Sequence, residues 1–170
     1  VLEQAAVLED KYKGGGGGKK KFCISTQHYS FAVNAFVDLI KKYGQDEYDF
    51  SIRETQTYEI IEDVAKMNSE LGIIFMDDFN DVVLNKILKS NDLEFHQLYS
   101  AKPHVFISRR HPLAGKQIIT NEQLEAYPYL SYEQGEHNSF YFSEEIFSTY
   151  ERKKNIQVRD RATLFNLVIG

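Results

Sequence analysis

The sequence predicts an α/β protein of two lobes, each a parallel-rich sheet flanked by helices. Three observations carry that prediction. Short apolar runs alternate with amphipathic stretches of helical period, in the strand–helix–strand–helix–strand order that right-handed βαβ crossovers produce. The alternation occurs twice without sequence repetition, over 21–100 and again over 101–170. A chain of 170 residues, 42% hydrophobic and 26% charged, is long and apolar enough to bury a real core.

The elements follow in order. "VLEQAAVLEDKY" sets Val1, Ala5, Leu8 and Tyr12 on one helical stripe, so 1–13 reads as the end of a helix packed on a partner. The glycines Gly14 to Gly18 break it, and 14–20 reads as a connector. "KKFCIST" is a strand; "SFAVNAFVDLIKKYG" is a helix that stops at Gly44. "YDFSIRE" alternates as a strand, "TYEIIEDVAKMN" is helical, and "LGIIFMDD" is an apolar run expected to be a strand buried on both faces. "NDVVLNKILKSN" closes lobe I as a helix.

Lobe II opens with "HVFISRRHPLAG", a strand running into a Pro turn. "TNEQLEAY" carries Thr120 and Gln123 at capping-box spacing. "YPYLSY" is a strand, and "NSFYFSEEIFSTYERKK" is expected to be a helix capped by Asn138 or Ser139. "IQVRD" is a strand and "ATLFNLVIG" a helix. No strand follows to cover that last helix, so the second lobe reads as incomplete, cut at Gly170.

Composition excludes several classes. A net charge of −5 gives no global attraction for nucleic acid or an anionic membrane. One cysteine, Cys23, rules out an internal disulfide framework and reads as a buried, inert thiol. No apolar run reaches the length of a membrane span, and the N-terminus lacks the order of a signal peptide, so the expected location is the cytoplasm. The glycine run follows a helix and precedes a strand, the reverse of a phosphate loop. The five histidines lack metal-ligand spacing, and Asp77 and Asp78 read as a polar turn rather than a magnesium site. No metal, cofactor or nucleophilic triad is expected, and the chain is expected not to be an enzyme.

What remains is a binding site without a reaction. In open parallel sheets, ligands sit beyond the carboxyl ends of the strands. Those ends are rich in hydroxyls and amides: Ser25, Thr26, Gln27 and His28 after the first strand, Thr55, Gln56 and Thr57 after the second. The first group precedes a helix whose free N–H groups favour an anion.

At this point the sequence resembles the effector-binding domain of LysR-type transcriptional regulators, over 21–170. The segments that carry the resemblance are "CISTQHYSF", "IRETQT", "SELGIIF", the intact His-Pro-Leu-Ala of "RRHPLAG", "TNEQLEAYPYL" and "LFNLVIG", in the family's order. Cys23 stands where the family has glycine, and Gly72 or Ile73 where it has an acid. "VLEQAAVLEDKY" is similar to the tail of the family's linker helix, and the glycines stand where the hinge does, as an engineered connector or a natural loose hinge.

The resemblance implies a type 2 periplasmic-binding-protein-like fold and a small-molecule effector, anionic or zwitterionic, held between the lobes. It implies that Gln134, Asn138, Ser139, Phe140 and Thr163 face Ser25, Thr26, Gln27, His28, Thr55 and Thr57 across the crevice. It implies a homodimer or homotetramer, with Phe31 and Ala35 on the helix 30–43 meeting Phe147 and Tyr150 on the helix 139–153 of a second copy. DNA would be contacted only through a winged helix-turn-helix domain absent from these residues, and no membrane is involved. The alternative is a solute-binding protein of the same two-lobed fold; a phosphotransfer enzyme using Asp77 and Asp78 is the weaker third.

Overall fold

Every crossover in the first half returns the chain parallel to its starting strand, and this sets the sheet. The structure, a computed structural model, describes residues 19–170. The linker-helix stripe and the glycine run lie outside the described residues. Strand β1 (Lys20–Thr26) is central, with β2 (Tyr48–Glu54) on one side and β3 (Leu71–Ile73) on the other, both parallel to it. Helix α1 (Ser30–Tyr43) joins β1 to β2, α2 (Thr57–Ala65) joins β2 to β3, and α3 (Asp81–Ser90) follows. In the second half, α4 (Asn121–Leu124) precedes β4 (Tyr129–Tyr132); β5 (Asn155–Val158) pairs parallel to β4, and α5 (Arg161–Ile169) ends the described chain.

Local chemistry accounts for the boundaries. Gly44, at φ 48°, ends α1 and donates its amide to the Ile40 carbonyl. Gln123 accepts the Thr120 amide at 3.3 Å, one half of the expected capping box on α4. Asp160 starts α5 by accepting from the Thr163 amide at 2.8 Å. Asp77 accepts the amides of Phe79 and Asn80, so this acid of the Asp77–Asp78 pair organises the turn into α3. Gly72 lets α2 lie close on β3: a Cβ there would stand 2.6 Å from Ile60 Cγ2.

Apolar packing concentrates beneath α2 and α3. Ile61, Leu84 and Leu88 form the buried cluster, joined by Phe142 from the second half, with Tyr58, Ile74 and Met76 packed around them. Phe142 is thus an anchor: a residue far along the chain completes the core of the first half.

Three expected elements differ. The strand in "LGIIFMDD" is Leu71–Ile73 alone, and Leu71 is exposed, because β3 is the edge of its sheet rather than an interior strand. No strand forms over 103–108. The run Val105, Phe106 and Ile107 favours extended backbone, but a strand needs a neighbour's ladder, and among the described residues none pairs with it. The helix expected over 139–153 is instead a single 3₁₀ turn, Phe140–Phe142, followed by bends. Ser139 Oγ accepts from the Tyr141 amide and Ser143 Oγ from the Glu145 amide, local bonds that compete with the helical ladder, and Phe147 takes φ 58°.

Candidate functional site

The carboxyl ends of β1 and β2 meet the end of β4 and the loop after it. Strand β1 delivers Gln27 and His28 one and two residues past its last paired position, where the chain must turn into α1. Thr57 opens α2 just beyond β2. From the other half, Gln134 follows β4, and Glu144 follows the 3₁₀ turn that Phe142 anchors.

These side chains form one hydrogen-bonded chain. Tyr29 Oη and the Phe75 amide both donate to Gln27 Oε1, at 2.9 and 2.5 Å, which orients its amide. Gln27 Nε2 then donates to Thr57 Oγ1, and that hydroxyl donates to the Phe142 carbonyl at 2.6 Å. The Thr57 amide donates to Gln134 Oε1 at 3.1 Å, and Gln134 Nε2 donates to Glu144 Oε1 at 3.4 Å. Glu144 closes the series on His28: its carboxylate accepts the main-chain N–H and ring Nδ1–H, both at 2.9 Å. Gln27, His28, Thr57, Gln134 and Glu144 are all buried. Each polar atom used here finds a partner, as a buried network requires.

A second bridge lies beside the first. The Arg161 guanidinium, at the start of α5, meets the Glu54 carboxylate at the end of β2 side on. Nε donates to Oε2 at 3.0 Å and Nη2 lies 2.7 Å from Oε1. Nη1 donates to Ser30 Oγ at 3.1 Å, at the head of α1. The His28 ring stacks on Tyr132 with centroids 4.0 Å apart.

Electrostatics follow from this burial. Removal from water pushes the His28 imidazole down, but the hydrogen bond to Glu144 and its charge, with smaller help from Glu54 and a backbone bond to Arg159, hold it above its ordinary value. Glu145 is raised, first by burial. The phenols of Tyr29 and Tyr132 are pushed up by burial and by the neighbouring carboxylates, so both remain neutral donors.

The other expected site residues fall at varied places. Ser25 is buried, but its hydroxyl bonds Asp63 at 2.7 Å and Ser69 at 2.7 Å, beneath α2, and supports the strand end from behind. Thr26 Oγ1 donates to the Gln27 carbonyl. Thr55 donates to Glu59 and lines a surface depression of about 360 Å³ with Arg53, Asp63 and Lys66. Asn138 is exposed, Ser139 half-buried, and Phe140 is 62% exposed. Thr163 is exposed, and its hydroxyl donates to Asp160 within the α5 cap. Of the interface residues, Phe31 is half-buried against Tyr29 and Tyr99, Ala35 is exposed, and Phe147 and Tyr150 are exposed. Glu144, Arg161, Glu54 and Tyr132 were not singled out in the sequence. Glu144 was concealed inside "SFYFSEEIF", where a helical reading turns it to solvent.

Among the described residues, no group of three or more His, Cys, Asp or Glu side chains is placed to hold a metal ion. None of the described helices is long and apolar enough to cross a membrane.

The described residues form an α/β arrangement with two parallel sheets whose strand ends meet in one buried polar network. The sequence profile described as LysR substrate binding domain matches residues 23–169, and the chain belongs to that family. Its fold is the type 2 periplasmic-binding-protein-like one, and the family is regulatory rather than enzymatic. No protein of curated function and no solved structure matches the chain.

Proposed function

We propose that this chain is the effector-sensing domain of a LysR-type transcriptional regulator and that a small anionic or zwitterionic metabolite binds between its halves. The observation that carries the reading is the convergence of Gln27, His28 and Thr57 with Gln134 and Glu144, within a match to the family over nearly the whole chain. Amide, imidazole and hydroxyl groups of this kind recognise carboxylates and ammonium groups. The amide of His28, ahead of α1, adds a donor where a helix N-terminus favours negative charge.

Regulation then needs no chemistry. A ligand that binds one arrangement of the halves better than the other shifts the population between them. The chain acts as a homodimer or homotetramer in the cytoplasm. DNA is read by the family's winged helix-turn-helix domain, which these residues do not include. Asn138, Phe140 and Thr163 are exposed and Ser139 is half-buried, and in this reading they meet the ligand as it enters. Ser25 and Thr26 hold the floor, and Thr55 its edge.

A thermal-shift screen of small carboxylic acids, amino acids and amines tests this. At least one acid or amino acid is expected to raise the melting temperature saturably, and Gln27→Ala is expected to remove the response. A response confined to amines would overturn the assignment of ligand charge. Silence across all three classes would overturn the sensor reading.

A further inference from the structure

The Glu144 carboxylate occupies the place where the preceding section seats an anionic ligand. It comes from the second half and reaches His28 in the first. Side chains of both are 3% exposed. Its two oxygens take the main-chain N–H and the ring N–H of one residue, the two donors a free carboxylate would take. Helix α1 has no acid in its first turn and no side-chain cap bond, so its N-terminal end gains negative charge from across the crevice and not from its own sequence.

We propose that Glu144 is a tethered internal ligand, a latch that holds the second half on the first by occupying the effector's anion subsite, and that the effector releases it by offering its own carboxylate to His28. The proposal rests on the sensor reading and names what the site must recognise: a carboxylate that replaces a carboxylate.

Three features support a latch over a fixed strut. Glu144 lies two residues from the Phe142 anchor in a segment of 3₁₀ turn and bends rather than on a regular helix or strand, so it can swing away without unwinding one. His28 is also set by contacts other than Glu144, stacking on Tyr132 and a backbone bond at Arg159. Both come from the second half, so a receptor for the incoming group remains when the Glu144 segment alone swings away while the halves stay in contact. Gln134 Nε2 likewise stays, oriented by the Thr57 amide. The charges nearby are Glu145, whose carboxylate is held by the Tyr132 amide and Ser143 Oγ, Asp160, held by the amide and hydroxyl of Thr163, and the paired Glu54 and Arg161. None of these can substitute for Glu144 on His28 without breaking its own bonds.

Acetate is the minimal probe. In Glu144→Ala the subsite is emptied, and sodium acetate, against sodium chloride at equal ionic strength, should raise the melting temperature saturably and shift the His28 ring resonances. The wild type should need about tenfold more acetate or more, because a tethered carboxylate competes at high effective concentration. Glu144→Gln, equal in shape and neutral, keeps the assay valid if the alanine variant folds poorly: its His28 should titrate lower than in the wild type, and it too should bind acetate more tightly. Equal acetate response in wild type and variants, or no response in a folded variant, overturns the latch. A metabolite found in the screen whose affinity is unchanged by Glu144→Gln would overturn the latch and leave the sensor reading standing. Acetate rescue with a silent screen would overturn the sensor reading and with it the release by an effector, leaving only a carboxylate subsite at His28 that Glu144 fills.

Discussion

His28 carries much of the site's electrostatics, and its charge state links the crevice to stability. Its ring is held above the ordinary value despite burial, because Glu144 favours the imidazolium. The unfolded imidazole titrates at about 6.5. A folded value raised above that gives stability that is fully present below about 6.5 and is lost as pH rises through the folded value. Chemical denaturation from mildly acidic to mildly alkaline pH should therefore show the wild type weakening as pH rises. His28→Gln should flatten that slope while lowering stability at the acid end. A slope unchanged by the substitution would assign the pH dependence elsewhere. Glu145, raised by burial, contributes the same sign at lower pH, within the carboxylate range. At the same scale Gly135 shows why a small residue is required: it sits at φ 58°, and a Cβ there would meet Gln56 Oε1 at 2.5 Å.

At the scale of elements, the first half depends on α2 lying flat against the sheet. The helix presents buried Ile60 and Ile61 inward, and Gly72 on β3 allows the close approach. Gly72→Val should push against Ile60 and Val64 and cost about 1–3 kcal/mol, the range of overpacked cores. A shifted denaturation midpoint with an unchanged slope would report it, and a midpoint within error of the wild type would refute the packing account. Most elements of this half were legible in the sequence, since α1, α2 and α3 each carry an apolar stripe at helical spacing and β1 and β2 a run of strand residues. The edge strand β3 was overestimated, because an apolar run does not reveal whether a second strand covers it. The 139–153 segment was misread for a related reason. Its aromatic spacing fits a helix, but Ser139 and Ser143 divert backbone amides, and Phe142 leaves the segment for the core of the other half.

On the scale of the whole molecule, the two halves are joined by Phe142, by the Glu144–His28 pair and by Arg161 on Glu54. Phe142→Ala should cost about 3–5 kcal/mol, as aromatic truncations in cores do. It should also make the second half cleavable by protease under conditions where the first resists. Simultaneous loss of both halves would mean that they fold as one unit. Association belongs to this scale too. Phe140 is 62% exposed and Phe147 53% exposed, apolar area that a second copy would cover. Light scattering at high micromolar concentration should report a dimer that Phe147→Glu weakens, whereas a monomeric wild type would remove the proposed interface.

The sequence by itself determined the α/β class, the order of most elements, the family and the polar character of the strand ends, because periodicity, caps and strand-end residues are local properties that survive without a partner. It pointed to Gln27, His28 and Thr57 for the same reason, since a residue just beyond a strand can be counted along the chain, whereas Gln134 came from the family resemblance. Tertiary structure decided which of them meet. Ser25 turned to Asp63 beneath α2, Thr163 was taken by its own cap, and Glu144 crossed to His28 from a segment that no local pattern marks. Where a side chain ends up across a crevice depends on how two halves pack, and that is set by distant contacts such as Phe142 in the other half's core, which no spacing within one segment records.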